Sequence, residues 1–254
     1  MTTDKTKFGL YDSSVEKNSC GVGFLTRKDG IQSHDLLVKG HEALCAVPHR
    51  GGMSAEGVGD GAGISVDLSL EFFCHVSGLE LQRGQFVVGN FFIPNDASQH
   101  QLADALVVDA LANQGMRKLL CRDVEVNNDV LRPAAIGYQL LIKQWIFSTP
   151  TGCFGASLDQ SIYRALLEIE AQAYQTEALR GLYPLSLSAK MQVLKGRLNS
   201  NEIIPYFRDL NVQQQSVNTM YFHTRFSTNT DPHPSMAQPF RLIAHNGELN
   251  TDKK

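Results

Sequence analysis

Apolar positions recur along this chain with two different periods, and the switches between them divide it into elements. From Ser19 to Thr26 apolar and small residues alternate as in a strand, with Gly21 and Gly23 marking close backbone approach. His34 to Val47 instead gathers Leu36, Leu37, Ala43, Leu44 and Val47 on one helical face, and Pro48 closes it. The glycine-dense run from Gly51 to Gly63 predicts a loop or several tight turns. Ile64 to Asp67 and Gln85 to Ile93 read as strands. Ser98 followed by Gln101 has the form of a capping box, and Leu102, Leu106 and Leu111 carry a helical stripe on to Gly115. Val124 to Val126 and Ala135 to Phe147 read as extended. A second long helix is predicted from Asp159, as N-cap, through Ile162, Leu166, Ile169 and Ala173 to Leu179, with Gly181 beyond its end. Leu185 to Ala189 and Met191 to Leu194 form a hairpin-like pair, and a short helix is expected at Glu202 to Arg208. Strands close the series at Met220 to Phe226 and Phe240 to His245.

Strands that come in pairs, with helices between them only now and then, favour an antiparallel α+β architecture over a doubly wound sheet. At 254 residues the chain suits one large domain or two small ones. Its net charge of −3 gives no reason to expect nucleic acid or an anionic membrane as partner, and no apolar run approaches bilayer-spanning length. Residues 1–19 mix Asp4, Lys5, Lys7, Asp12, Glu16 and Lys17 with few apolar positions, so they lack the core of a secretory signal and the expected location is cytoplasmic. The cysteines Cys20, Cys45, Cys74, Cys121 and Cys153 are odd in number and at least 25 positions apart, which fits neither a disulfide framework nor metal-ligand spacing. The expectation is a chain without metal.

Three features carry chemistry. Cys20 opens Cys20-Gly21-Val22-Gly23-Phe24; a cysteine is most often a small buried hydrophobe, yet a thiol flanked by glycines leaves room for a substrate. If the chain is cut before Cys20, the freed α-amino group has a pKa near about 7.7–8 and can take the thiol proton at neutral pH. Arg225 lies in a strand-like segment, where an ordinary ion-pair role competes with bidentate recognition of a carboxylate. Ser227, Thr228 and Asn229 follow it and can add hydrogen bonds to a substrate. Asn246-Gly247 is a common turn pair, and the same tight geometry can aim the Asn246 amide and the Gly247 N–H at one oxyanion. His41, His49, His223, His233 and His245 lack metal-site spacing and read as packing or loop residues.

With His49-Arg50-Gly51-Gly52, Asp60-Gly61-Ala62-Gly63-Ile64 and Ala237-Gln238-Pro239-Phe240, these segments resemble, in the same order, the N-terminal glutaminase domain of glutamate synthase large subunits. That family is a class II, N-terminal-nucleophile glutamine amidotransferase. The resemblance implies a four-layer αββα sandwich of two antiparallel sheets, with residues 1–19 as a removed leader and 20–254 as the domain. It also implies Cys20 as nucleophile, Arg225 on the α-carboxylate of glutamine, Asn246 and Gly247 as the oxyanion hole, and loops shaped by His49 to Gly52 and Asp60-Gly61. The partner it implies is the synthase region or subunit of glutamate synthase. No cofactor is expected in this chain, FMN and an iron–sulfur cluster belonging to that synthase region. The family's domain continues past the Asn246 motif, with an aspartate that holds the α-amino group, so 20–254 reads as C-terminally incomplete. The alternative reading is a catalytically silent fragment acting only as a binding or regulatory partner. Another class II amidotransferase is disfavoured by Phe226 to Thr230 and by the long insert between Gly63 and Arg225.

Overall fold

The computed structural model describes residues 21–225, together with 7–8, 11–12, 233–236 and 239. After a two-residue antiparallel pairing of β1 (Lys7–Phe8) with β2 (Tyr11–Asp12), the strands form two antiparallel sheets of four. The first runs in the order β3 (Val22–Thr26), β10 (Thr219–His223), β4 (Ala62–Asp67) and β9 (Met191–Gly196). The second runs β6 (Arg117–Asp123), β7 (Ile142–Ser148), β5 (Phe86–Phe92) and β8 (Tyr183–Ser188). Helices stand against both sheets, which makes the domain antiparallel α+β, as the strand pattern predicts, and a sandwich, as the family resemblance implies.

Each helix is held by its apolar stripe. α1 (Asp35–Ala46) buries Leu36, Leu37 and Leu44 with Ile64, Val66 and Met220 of the first sheet. Gly40 lets it approach: a Cβ there would lie 2.3 Å from Met220 Sδ. α3 (His100–Ala112) and α5 (Ala156–Gln175) share a cluster with Val87, Phe91, Trp145, Phe147 and Leu187 of the second. α2 (Leu70–Ser77) sets Phe72 and Phe73 against Phe86, Val88 and Ile146. Alternate residues of β5 therefore serve different clusters, and all seven of its positions are buried. That explains why this strand reads as a continuous apolar run rather than an alternating one.

Two polar devices fix the registers. Asp67 Oδ1 accepts from the backbone N–H of Asn218 at 2.8 Å and of Thr219 at 2.7 Å, which holds the start of β10 against the end of β4. Where β9 crosses the second sheet, Asn90 Nδ2 donates to Val193 O at 3.1 Å, and Gln144 Nε2 donates to Asn90 Oδ1 at 2.8 Å. Arg122 Nε in turn donates to Gln144 Oε1 at 2.9 Å, and the same guanidinium pairs with Asp209. Buried amides are tolerable only when bonded, and Asn90 and Gln144 meet that condition through one another.

Several expected boundaries move. The capping box at Ser98 does not form: Asp96 Oδ1 accepts from Ser98 N–H at 2.9 Å, a one-turn 3-10 segment follows, and α3 begins at His100. Ala135 to Phe147 is not wholly extended, because α4 (Pro133–Ile136) occupies its start, with proline in the first turn where its missing N–H costs nothing. Asp159 lies in the first turn of α5 rather than at its cap, which Gly155 provides. The expected helix at Glu202 to Arg208 is shorter, α6 (Ile203–Tyr206) followed by a 3-10 turn. α2 and β6 have no counterpart among the elements predicted from the hydrophobic pattern. The strand expected at Phe240 to His245 lies outside the described residues. Among those residues no helix is long and apolar enough to cross a membrane.

Lys195 on β9 is 1% exposed, its Nζ 5.6 Å from the centre of the Tyr183 ring. Burial pulls its pKa from 10.5 down to about 7. The unfolded chain takes up this proton below pH 10.5 and the folded one only below about 7, so folding stability falls as pH drops through that window. Wild-type protein should therefore gain stability relative to Lys195→Met between pH 7 and pH 10, by an amount on the order of 3–5 kcal/mol. Urea denaturation of both proteins across that range measures it, and parallel pH profiles would refute it.

Candidate active site

The site is assembled where β3 and β10 begin and end. Their register pairs Val22 with His223, and one step further Thr224 N–H donates to Gly21 O at 2.7 Å. The strand expected to reach Phe226 ends at His223, and Thr224, the residue after it, lies beside Gly21, which follows Cys20 in the chain. Gly21 has to be a glycine, since a Cβ would sit 2.4 Å from Thr224 Oγ1. Gly23 has the same reason, with the Phe222 ring 2.0 Å from its absent Cβ.

Two loops close beneath this strand pair. The 3-10 turn Pro48–Arg50 delivers Gly51, whose Cβ position is 3.1 Å from Thr224 O. Gly52 leads into the glycine-rich run, and Asp60 N–H donates back to Gly52 O at 2.7 Å. Asp60 turns its carboxylate into the space that a Gly52 side chain would fill, 1.9 Å from that Cβ position. From there Asp60 Oδ2 lies 3.7 Å from Arg225 Nε. The His49 to Gly52 and Asp60-Gly61 segments thus take up the loop-shaping position expected of them. Asp60 adds a charge contact that spacing alone did not indicate.

A cavity of about 560 Å³ opens beside the loops, lined in part by Gly51, Gly52, Ser200 and Thr224. Thr224 is 1% exposed and Ser200 2%, yet neither Thr224 Oγ1 nor Ser200 Oγ has a hydrogen-bond partner among the described residues. A buried hydroxyl left without a hydrogen bond costs about 1–3 kcal/mol. His223, next to Thr224, is held toward its neutral form because burial lowers its pKa.

Of the residues singled out for chemistry, the structure describes Arg225. Its side chain is 45% exposed at the end of β10. Cys20, Ser227, Thr228, Asn229, Asn246 and Gly247 lie outside the described residues. The other cysteines are free thiols in different settings. Burial and the Asp104 carboxylate push the Cys121 thiol up to about 11, which keeps it protonated and unreactive. Cys74 is half-buried, and its Sγ accepts from Leu81 N–H at 3.4 Å. Cys45 lines the cavity, with its Sγ 3.7 Å from His41 Nε2. Among the described residues no group of three or more His, Cys, Asp or Glu side chains is arranged to hold a metal.

Sequence reasoning passed over Thr224 and gave Asp60 only a loop-shaping part. Thr224 matters only because β10 pairs with β3, a contact about 200 positions apart in the chain, and no local pattern announces such a pairing. Asp60, in a glycine-rich loop, is the kind of residue that turns favour for their own sake.

A family model described as class-II glutamine amidotransferases matches residues 20–253. The chain is 34% identical over 241 residues to ferredoxin-dependent glutamate synthase 2 of Synechocystis, an alignment that covers 93% of this chain and 15% of that protein. It is 33% identical over 253 residues to the glutamate synthase [NADPH] large chain of Azospirillum brasilense, covering 98% and 17%. To the glutamate synthase [NADH] of Saccharomyces cerevisiae it is 32% identical over 257 residues, covering 96% and 12%. The chain thus spans less than a fifth of the length of these relatives.

Thr224→Val keeps the shape of the side chain and removes the unpartnered hydroxyl. In ligand-free protein it should leave folding stability unchanged or raise it by about 1 kcal/mol. Thermal unfolding without ligand tests this, and a drop of several degrees would mean that the hydroxyl has a folding partner.

Proposed function

Because the chain belongs to the class-II glutamine amidotransferases, we propose that it hydrolyses the side-chain amide of glutamine with Cys20 as nucleophile. The observation that carries this reading is the meeting of the Gly21 end of β3 with Thr224, Arg225 and the two glycine loops. Cys20 directly precedes Gly21 in the sequence, and the bond from Thr224 N–H to Gly21 O supports the reading.

The proposed chemistry needs few parts. Removal of residues 1–19 frees the Cys20 α-amino group, which accepts the thiol proton. The thiolate adds to the amide carbon, and the developing oxyanion receives hydrogen bonds from the Asn246 amide and Gly247 N–H. The C–N bond breaks as the amine returns its proton, and ammonia leaves. Water then attacks the γ-glutamyl thioester, releasing glutamate and the thiol. Arg225 holds the α-carboxylate throughout, with Ser227, Thr228 and Asn229 supplying further hydrogen bonds. A cytoplasmic setting keeps such a thiol reduced.

The relatives are glutamate synthases, and the reading extends to them: ammonia released at Cys20 passes to a synthase region of the same protein or a companion subunit for addition to 2-oxoglutarate. FMN and iron–sulfur chemistry belong to that region on this reading. No step proposed for this chain passes through either group.

Five expectations test the proposal. Active protein should begin at Cys20 by intact mass, and a glutamine-like electrophile should label Cys20 and spare Cys121, whose thiol is held protonated. Cys20→Ser should abolish turnover while leaving unfolding unchanged; activity retained in that variant would exclude the assignment. Arg225→Lys should mainly raise KM, since a point charge replaces a bidentate fork used before and during reaction. Asn246→Ala should mainly lower kcat, by about 100- to 1000-fold. Equal changes in both parameters for both variants would contradict the division of labour between Arg225 and Asn246.

A further inference from the structure

We infer that Asn199 is a positioning residue, which holds the hairpin of residues 52–60 against the turn at 198–202 and so keeps the cavity in the shape that receives glutamine. The inference rests on the proposed amidotransferase reading of that cavity. Both segments line it, the hairpin through Gly52 and Met53 and the turn through Leu198, Ser200 and their neighbours. Within the hairpin, Met53 bridges Gly59, Asp60 N–H donates to Gly52 O at 2.7 Å, and Gly57 N–H donates to Ser54 O at 2.9 Å. It is a unit tied to itself. A directional tie to the turn comes from the Asn199 side chain, whose Nδ2 donates to Gly57 O at 3.2 Å.

Glu202 decides which way that amide faces. It is buried, and both of its carboxylate oxygens accept from Asn199, Oε2 from the backbone N–H at 2.7 Å and Oε1 from Nδ2 at 3.0 Å. A carboxylate accepts and cannot donate, so it selects the nitrogen of the amide over its oxygen, and the second N–H of that nitrogen goes to Gly57 O. The receiving carbonyl is placed as closely. Gly57 has a φ of +82°, which glycine adopts readily, and Arg132 packs where a side chain would stand, its Cδ 2.3 Å from the Cβ position. Val58 beside it is buried in the core of the first sheet. Apolar seating keeps Val58 in but sets no direction, whereas the bond from Asn199 does. A cavity wall already in place binds a ligand without first being ordered, and a wall in place only part of the time weakens apparent binding by that fraction. With ligand bound the wall is ordered in either case, so turnover changes little.

The test joins amide hydrogen exchange of the ligand-free protein to steady-state glutaminase kinetics. Asn199→Ala should speed exchange in the hairpin about three- to tenfold, raise KM for glutamine by a similar factor, and leave kcat within about twofold. Asn199→Asp, which keeps the shape and removes the donor, should behave like Asn199→Ala and not like wild type. Glu202→Gln, which lets the amide turn over, should move both readouts in the same direction by less. In an Asn199→Ala background Glu202→Gln should add less than about twofold, because its effect runs through Asn199. Hairpin exchange unchanged by Asn199→Ala, a fall in kcat as large as the rise in KM, or an undiminished Glu202→Gln effect in that background would each overturn the inference while leaving the reading of the cavity in place. If the wild-type protein hydrolysed no glutamine, that reading would fall and this inference with it. Should Asn199→Ala fail to fold, Glu202→Gln alone carries the test with the same two readouts; faster hairpin exchange with a raised KM supports the inference, and no change in either sinks it.

Discussion

The seating of β10 between β3 and β4 is the constraint on which the rest of the site depends. A strand inserted centrally must satisfy two ladders at once, and Asp67 fixes where it starts by accepting from two consecutive backbone N–H groups. A slip of one residue would exchange Met220 and Phe222, both buried, for Tyr221, which is about half exposed. The core therefore enforces the register, and the register sets Thr224 opposite Gly21. A carboxylate at the far end of the strand thus governs what meets at the site.

How much of this was legible in the chain depended on whether the signal was local. α1 and the body of α5 were, because each carries a long run of one period, and so was β5, a continuous apolar run that stops just short of Pro94. α2 was not: eight residues beginning Leu70-Glu71-Phe72-Phe73 fit a strand nearly as well as a helix, and its helical state is decided by the Ser69 cap and by two phenylalanines finding the second sheet. β6 was hidden by charge. Arg117, Lys118, Arg122 and Asp123 make it read as a loop, although its neighbour β7 pairs with it along its length apart from a shift of register between Lys118 and Leu120, and several of its polar groups find partners. The site divides the same way. Residue types named Cys20, Arg225 and Asn246-Gly247, whereas Thr224 and Asp60 required a pairing between ends of the chain.

The β8–β9 hairpin joins the two sheets, and its strands belong to different ones. Ser186 Oγ accepts from Val193 N–H at 3.0 Å, and Asn90 reaches the carbonyl of the same Val193, so both polar groups of one β9 residue are bonded to the second sheet. A sheet interface held only by apolar contact can slide at small cost. Directional bonds to a backbone cannot, and the two layers are thereby held in one alignment.

The cavity of about 560 Å³ has a consequence for how the fold responds to a ligand. Its lining draws on the Gly51-Gly52 loop, the Leu198 to Glu202 turn and Thr224, segments far apart in the chain, so an occupant would bridge parts that unfolding separates. By mass action, any such occupant lends its binding free energy to the fold. Resistance to heat then becomes a gauge of occupancy that works without turnover. Molecules that merely sit in the cavity and molecules that react there can be told apart by comparing that gauge with product formation.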